Sequence, residues 1–71
     1  NNVYVYFRHN DKETVMVLIN NAPDTQKLNL TRFQENIKSF TLGNDILSGK
    51  TIDLKTELSI EGKTSMILEL K

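Results

Sequence analysis

The sequence predicts an all-β fold, a small antiparallel β-sandwich with one short helical turn. Three observations support this. Short alternating segments recur at roughly ten-residue spacing, clusters of Asn, Asp, Gly and Ser break them, and the first twenty residues read as a hairpin with apolar side chains on both faces. A half-buried strand alternates apolar with polar residues, so two apolar faces imply cover on both sides.

The hairpin comes first. On Val3 to Arg8 one face carries Val3, Val5 and Phe7 and the other Tyr4 and Tyr6; on Thr14 to Asn20 one face carries Val15, Val17 and Ile19 and the other Met16 and Leu18. The loop between them, His9 to Glu13, is polar and holds Asn10 and Asp11, which adopt turn conformations readily. Residues 20–25 form a second loop, with Pro23 ending the strand before it. Gln26 to Leu30 is expected as a short strand with Leu28 and Leu30 on one side. Thr31 followed by Gln34 fits a capping box, which predicts one or two helical turns to about Asn36, with Phe33 and Ile37 on one face. Ser39 to Leu42 is expected as a strand closed by Gly43. Ser48-Gly49-Lys50 is a turn signal, and Thr51 to Leu54 returns from it with Ile52 and Leu54 on one face. Glu57 to Ile60 alternates through Leu58 and Ile60. Glu61-Gly62-Lys63 turns the chain into Thr64 to Leu70, where Met66, Leu68 and Leu70 face one way.

At 71 residues the chain is expected to be one domain over 1–71, near the low end of what folds alone. It has no cysteine, so neither a disulfide nor a thiolate metal site is available. The formal charge is zero and Lys and Arg are scattered, which argues against nucleic acid or an anionic membrane as partner. No run is long enough to span a bilayer, and the N-terminus lacks a signal-peptide pattern. The chain also starts in mid-pattern without Met, as an excised piece of a longer protein does.

Little in the chain suggests catalysis. His9 is the only histidine and has no visible partner, so a solvated loop residue is expected, with Asp11 and Glu13 as ordinary turn acids. Asp45, Asp53, Glu57, Glu61 and Glu69 could supply a glycosidase pair only by flanking a cleft, which a chain of this size has little material to build. Asp45 is expected instead to accept the backbone hydrogen bonds that fix the turn after it. Gly49-Lys50-Thr51 lacks the earlier glycine of a phosphate-binding loop, position 44 being Asn, and strand-like sequence follows. No catalytic residue, metal ligand or cofactor is assigned. Tyr4 and Tyr6, side by side on one strand face, are the sharpest candidates. They suit burial against a neighbouring domain, packing within this one, or a sugar-stacking platform. With Met16 and Leu18 they make up the expected spare apolar face, a candidate domain interface or carbohydrate contact.

The segments YVYFRHNDKETVMVLIN, LNLTRFQE, GNDILSGKTIDL and SMILELK, in that order and spacing, resemble the C-terminal domain of cyclomaltodextrinase and neopullulanase-type enzymes of the alpha-amylase family, especially those of Bacteroides-like bacteria. The resemblance covers almost the whole chain. It implies a Greek-key β-sandwich that follows and packs on a catalytic (β/α)₈ barrel. It also implies an accessory, non-catalytic role in hydrolysis of cyclodextrins, pullulan or maltooligosaccharides, with the catalytic carboxylates on the barrel. The alternatives are a carbohydrate-binding module using Tyr4 and Tyr6, with a direct α-glucan contact, and a structural immunoglobulin-like module.

Overall fold

In a computed structural model, which describes residues 2–54 and 57–71, the alternating segments become strands of two packed sheets. The strands are β1 (Val3–His9), β2 (Thr14–Asn20), β3 (Gln26–Asn29), β4 (Leu42–Asp45), β5 (Thr51–Asp53), β6 (Glu57–Ile60) and β7 (Thr64–Leu70). A five-stranded sheet runs β1-β2-β7-β4-β5 and a two-stranded sheet pairs β3 with β6, every pairing antiparallel. The closing strand β7 returns from the far end of the chain to lie between β2 and β4, the long connection that a Greek key requires. The architecture is the expected small all-β sandwich.

The core lies between the sheets. Met16, Leu18, Leu68 and Leu70 from the large sheet meet Leu28, Leu58 and Ile60 from the small one, and Leu30 and Ile37 close one end. Val3, Val5, Phe7, Met66, Ile52 and Leu54 pack around this centre. Among the described residues no buried side-chain nitrogen or oxygen lacks a hydrogen-bond partner.

The first hairpin departs from expectation in register, with a consequence for the site. β1 extends to His9, which pairs with Thr14, so the loop is the four residues 10–13 rather than five. Asn10 sets this length: its Oδ1 accepts from the backbone N–H of Lys12 at 2.8 Å and of Glu13 at 2.9 Å, and its own N–H donates to the Glu13 carbonyl at 3.0 Å. A five-residue loop would set Tyr6 opposite Met16 and Tyr4 opposite Leu18. The four-residue loop sets Tyr6 opposite Val17 and Tyr4 opposite Ile19, because a one-residue change of register turns a strand's side chains to the other face. Met16 and Leu18 therefore oppose Phe7 and Val5 on the inner face and are fully buried.

Two local boundaries also shift. The helical turn begins as a 3₁₀ turn, Leu30–Phe33, continued by α1 (Gln34–Ile37), and its cap is Asn29 rather than Thr31. Asn29 Oδ1 accepts from the Thr31 N–H at 3.0 Å and the Thr31 hydroxyl at 2.6 Å, satisfying a donor that the turn leaves unpaired. That places Leu30 in the turn and not in β3. Similarly, the strand expected over residues 39–42 starts at Leu42 and runs through Gly43 to Asp45, held between β5 and β7.

Asp45 does what its position suggests. It is buried, and its carboxylate accepts from the backbone N–H of Leu47 at 3.1 Å, from the Ser48 hydroxyl at 2.8 Å and from the Ile67 N–H at 3.3 Å. Gly49 completes this turn with φ +79°, a conformation that side chains with a Cβ rarely adopt.

Candidate interaction face

The outer surfaces of the two sheets differ in composition. On the small sheet the outward residues are Lys27 opposite Ser59 and Asn29 opposite Glu57, all exposed and polar, as expected of a strand face in water. On the β1, β2 and β7 part of the large sheet the outward residues are mostly apolar, whereas the row Arg8, Val15, Glu69, Asn44, Thr51 is mostly polar. Across β1, β2 and β7, one row reads Tyr6, Val17, Ile67 and the next Tyr4, Ile19, Ser65. Ile46 follows beside Ile67, its N–H donating to the Ile67 carbonyl at 3.0 Å. Tyr4 is 57% exposed, Tyr6 50% and Ile46 54%, while Val17 between Tyr6 and Ile67 keeps only 8%.

A polar rim borders this apolar patch. Tyr6, Val15, Val17 and Ile67 line a shallow depression of about 470 Å³ whose other walls are Arg8, His9, Asn10 and Glu13. His9 is exposed, stacks on Phe7 with ring centroids 6.4 Å apart and places Nδ1 3.3 Å from the Thr14 hydroxyl. These contacts are those of a hairpin-end residue.

The candidate residues therefore divide. Tyr4 and Tyr6 stand together on the outer face as expected. Met16 and Leu18 do not join them, because the register turns both into the domain's own core, and their outer-face places are taken by Val15, Val17 and Ile19. The acids do not converge either. Asp45 lies on the inner face opposite Leu68, Glu69 on the outer face opposite Val15, Asp53 on β5, and Glu57 and Glu61 on and just after β6. Among the described residues no group of three or more His, Asp or Glu is placed to hold a metal ion.

The Cyclo-malto-dextrinase C-terminal domain family matches residues 1–69. The chain belongs to this family. No curated protein matches it. As a cyclomaltodextrinase C-terminal domain it is a non-catalytic C-terminal part of an alpha-amylase-family enzyme, and membership in that family implies packing on a catalytic domain. No helix among the described residues is long and apolar enough to cross a membrane.

One structurally important residue escapes the sequence reading. Asn20 is almost completely buried and joins two loops. Its Nδ2 donates to the carbonyls of Ile60 at 2.9 Å, Asp24 at 3.0 Å and Glu61 at 3.0 Å, and its Oδ1 accepts from the Ala22 N–H at 2.9 Å. Gly62 makes the same junction possible: a Cβ there would lie 2.1 Å from the Pro23 carbonyl oxygen. The sequence signal for Asn20 is a polar residue at the third inner position after Met16 and Leu18, where periodicity asks for an apolar one.

Proposed function

We propose that this accessory domain docks the outer face of its five-stranded sheet on the catalytic (β/α)₈ barrel of an α-glucan hydrolase and stabilises it. The parent's substrates are cyclodextrins, pullulan or maltooligosaccharides. The observation that carries the reading is the apolar row Tyr6, Val17, Ile67 with Tyr4 and Ile19 beside it, on a sheet whose inner face already forms the core. A polar outer face serves a sheet in water, as on β3 and β6. An apolar one of several residues marks a contact. Covering the exposed halves of Tyr4 and Tyr6 removes on the order of 200 Å² from water, about 5 kcal/mol as an upper bound. Covalent attachment to the barrel lowers the entropic cost of that association.

The test places Tyr4→Ser, Tyr6→Ser and Ile19→Thr together in the parent enzyme and in the 71-residue chain. In the parent enzyme the substitutions are expected to lower the thermal midpoint; in the 71-residue chain they are expected to change it little. Equal loss in both would mean the face serves the domain's own fold, and no loss in the parent would remove the docking role.

A second reading has one observation in its favour. Tyr4 and Tyr6 are adjacent and half-exposed, and Tyr6 borders a depression rimmed by Arg8, Asn10 and Glu13, groups able to hydrogen-bond sugar hydroxyls. Retention of the chain in an α-glucan affinity gel, lost in Tyr4→Ala, would favour this reading over docking.

A further inference from the structure

The large sheet ends on one side in β5, three residues long, and on the other in β1, seven residues long. Short edge strands are protected by their length, whereas long ones are usually blunted by proline, a bulge or inward charge. β1 has none of these. It contains no proline and no acid, and it pairs with β2 in unbroken register. Its one arginine, Arg8, lies near the hairpin end on the outer face.

The hydrogen bonds flanking the hairpin show which backbone groups the edge presents. The Asn21 N–H donates to the Asn2 carbonyl at 2.8 Å, and the Asn10 N–H donates to the Glu13 carbonyl at 3.0 Å. In an antiparallel ladder hydrogen-bonded pairs alternate with non-bonded ones, so Tyr4, Tyr6 and Arg8 bond to β2. The N–H and C=O groups of Val5 and Phe7 therefore point away from it, toward the outside of the sheet. Beside that edge, Val3, Val5, Leu28, Arg32 and Phe33 line a depression of about 410 Å³, with room for side chains of an added strand.

We propose that β1 is a self-recognition edge, through which two copies of this chain pair antiparallel about a two-fold axis at Tyr6 and join their large sheets into one. Tyr6 lies between Val5 and Phe7, so this register pairs the two residues whose backbone groups are used. It sets Val5 opposite Phe7 of the second copy, and the converse, giving four new backbone hydrogen bonds from groups that already face outward. On the outer face it sets Tyr6 against Tyr6 and Tyr4 against Arg8 of the second copy. The tyrosines thus meet each other and a cation, while the two arginines stay at opposite ends. No like charges oppose one another, and this self-complementarity singles out a second copy as the occupant. The backbone edge is distinct from the outer face, but Tyr4 and Tyr6 border both, so the test is made on the 71-residue chain, where no barrel covers them.

Because the chain contains no cysteine, engineered thiols read the register directly. Tyr6→Cys should oxidise to a disulfide-linked dimer, since directly opposed non-hydrogen-bonded residues lie about 4.5 Å apart at Cα. Tyr4→Cys should not, because its two copies lie about 13 Å apart along the strands, beyond disulfide reach. Sedimentation equilibrium should show reversible dimers of the unmodified chain, weakened about tenfold by Tyr6→Lys, which opposes two like charges at the axis. Circular dichroism would establish that each variant keeps its fold. Val5 and Phe7 amide protons should gain exchange protection as concentration rises. A chain that stays monomeric to about millimolar concentration, or Tyr4→Cys cross-linking as readily as Tyr6→Cys, would overturn the proposal.

Discussion

Replacing Asn20 tests whether one buried amide joins the two loops at its end of the sandwich. In Asn20→Ala the buried Ala22 N–H loses its acceptor, which costs about 1–3 kcal/mol. The Ile60 carbonyl loses a buried bond worth about 0.5–1.5 kcal/mol. The Asp24 and Glu61 carbonyls are only part-buried and regain water, so they add little. The expected loss is about 2–4 kcal/mol. A chain of this length has roughly 4–11 kcal/mol in total at the usual stability per residue, so the urea midpoint should fall steeply with little change in slope. Asn20→Asp refines the test. It keeps the shape and the acceptor for Ala22 but turns a carboxylate toward three carbonyl oxygens with no donor to offer. It should therefore be worse than Asn20→Ala at neutral pH. An unchanged midpoint in Asn20→Ala, or an Asp variant as stable as the original, would refute the assignment of the junction to this side chain.

The remaining predictions concern the core and the chemistry. Leu68→Ala should cost about 2–5 kcal/mol in urea unfolding, since Leu68 is fully buried between Met16 and Asp45 at the middle of the large sheet. Met16→Ser and Leu18→Thr should each destabilise the 71-residue chain severely, because both side chains are fully buried; intact unfolding curves for either would place them on the outer face. The chain alone should release no reducing sugar from maltooligosaccharides above a buffer control, because its acids are spread over both faces and both sheets.

What the sequence shows of this fold follows from how local each determinant is. Alternation is local, so β2, β6 and β7 appear at the expected bounds, and the turn role of Asp45 follows from the Ser-Gly pair after it. The hairpin register is not local in that sense. It depends on whether His9 belongs to the strand or the loop, and composition does not decide this. The Asn10 side chain decides it by closing a four-residue loop, and that one residue moves Met16 and Leu18 from the candidate face to the core. The cap expected at Thr31 falls instead at Asn29 because both are capping types and the 3₁₀ start selects the earlier one. Asn20 was missed because its partners Ile60 and Glu61 are some forty residues away and come together only when β7 returns beside β2.

The two polar residues buried among the described residues, Asn20 and Asp45, explain how so small a core is closed, and so why the outer face is available. Asn20 and Asp45 occupy inner-face positions that periodicity gives to apolar side chains, and each replaces packing with bonds that hold a connection: Asn20 the loops beside β2 and β6, Asp45 the turn between β4 and β5. Together with Met16, Leu18, Leu68, Leu70 and the small sheet they complete the interior. The domain's own folding therefore makes little demand on Tyr4, Tyr6 or Ile46, all at least half exposed. Polar residues would serve there equally well in water, as they do on β3 and β6. An apolar surface that the fold does not require marks a contact outside the domain, and the docking proposed above supplies one.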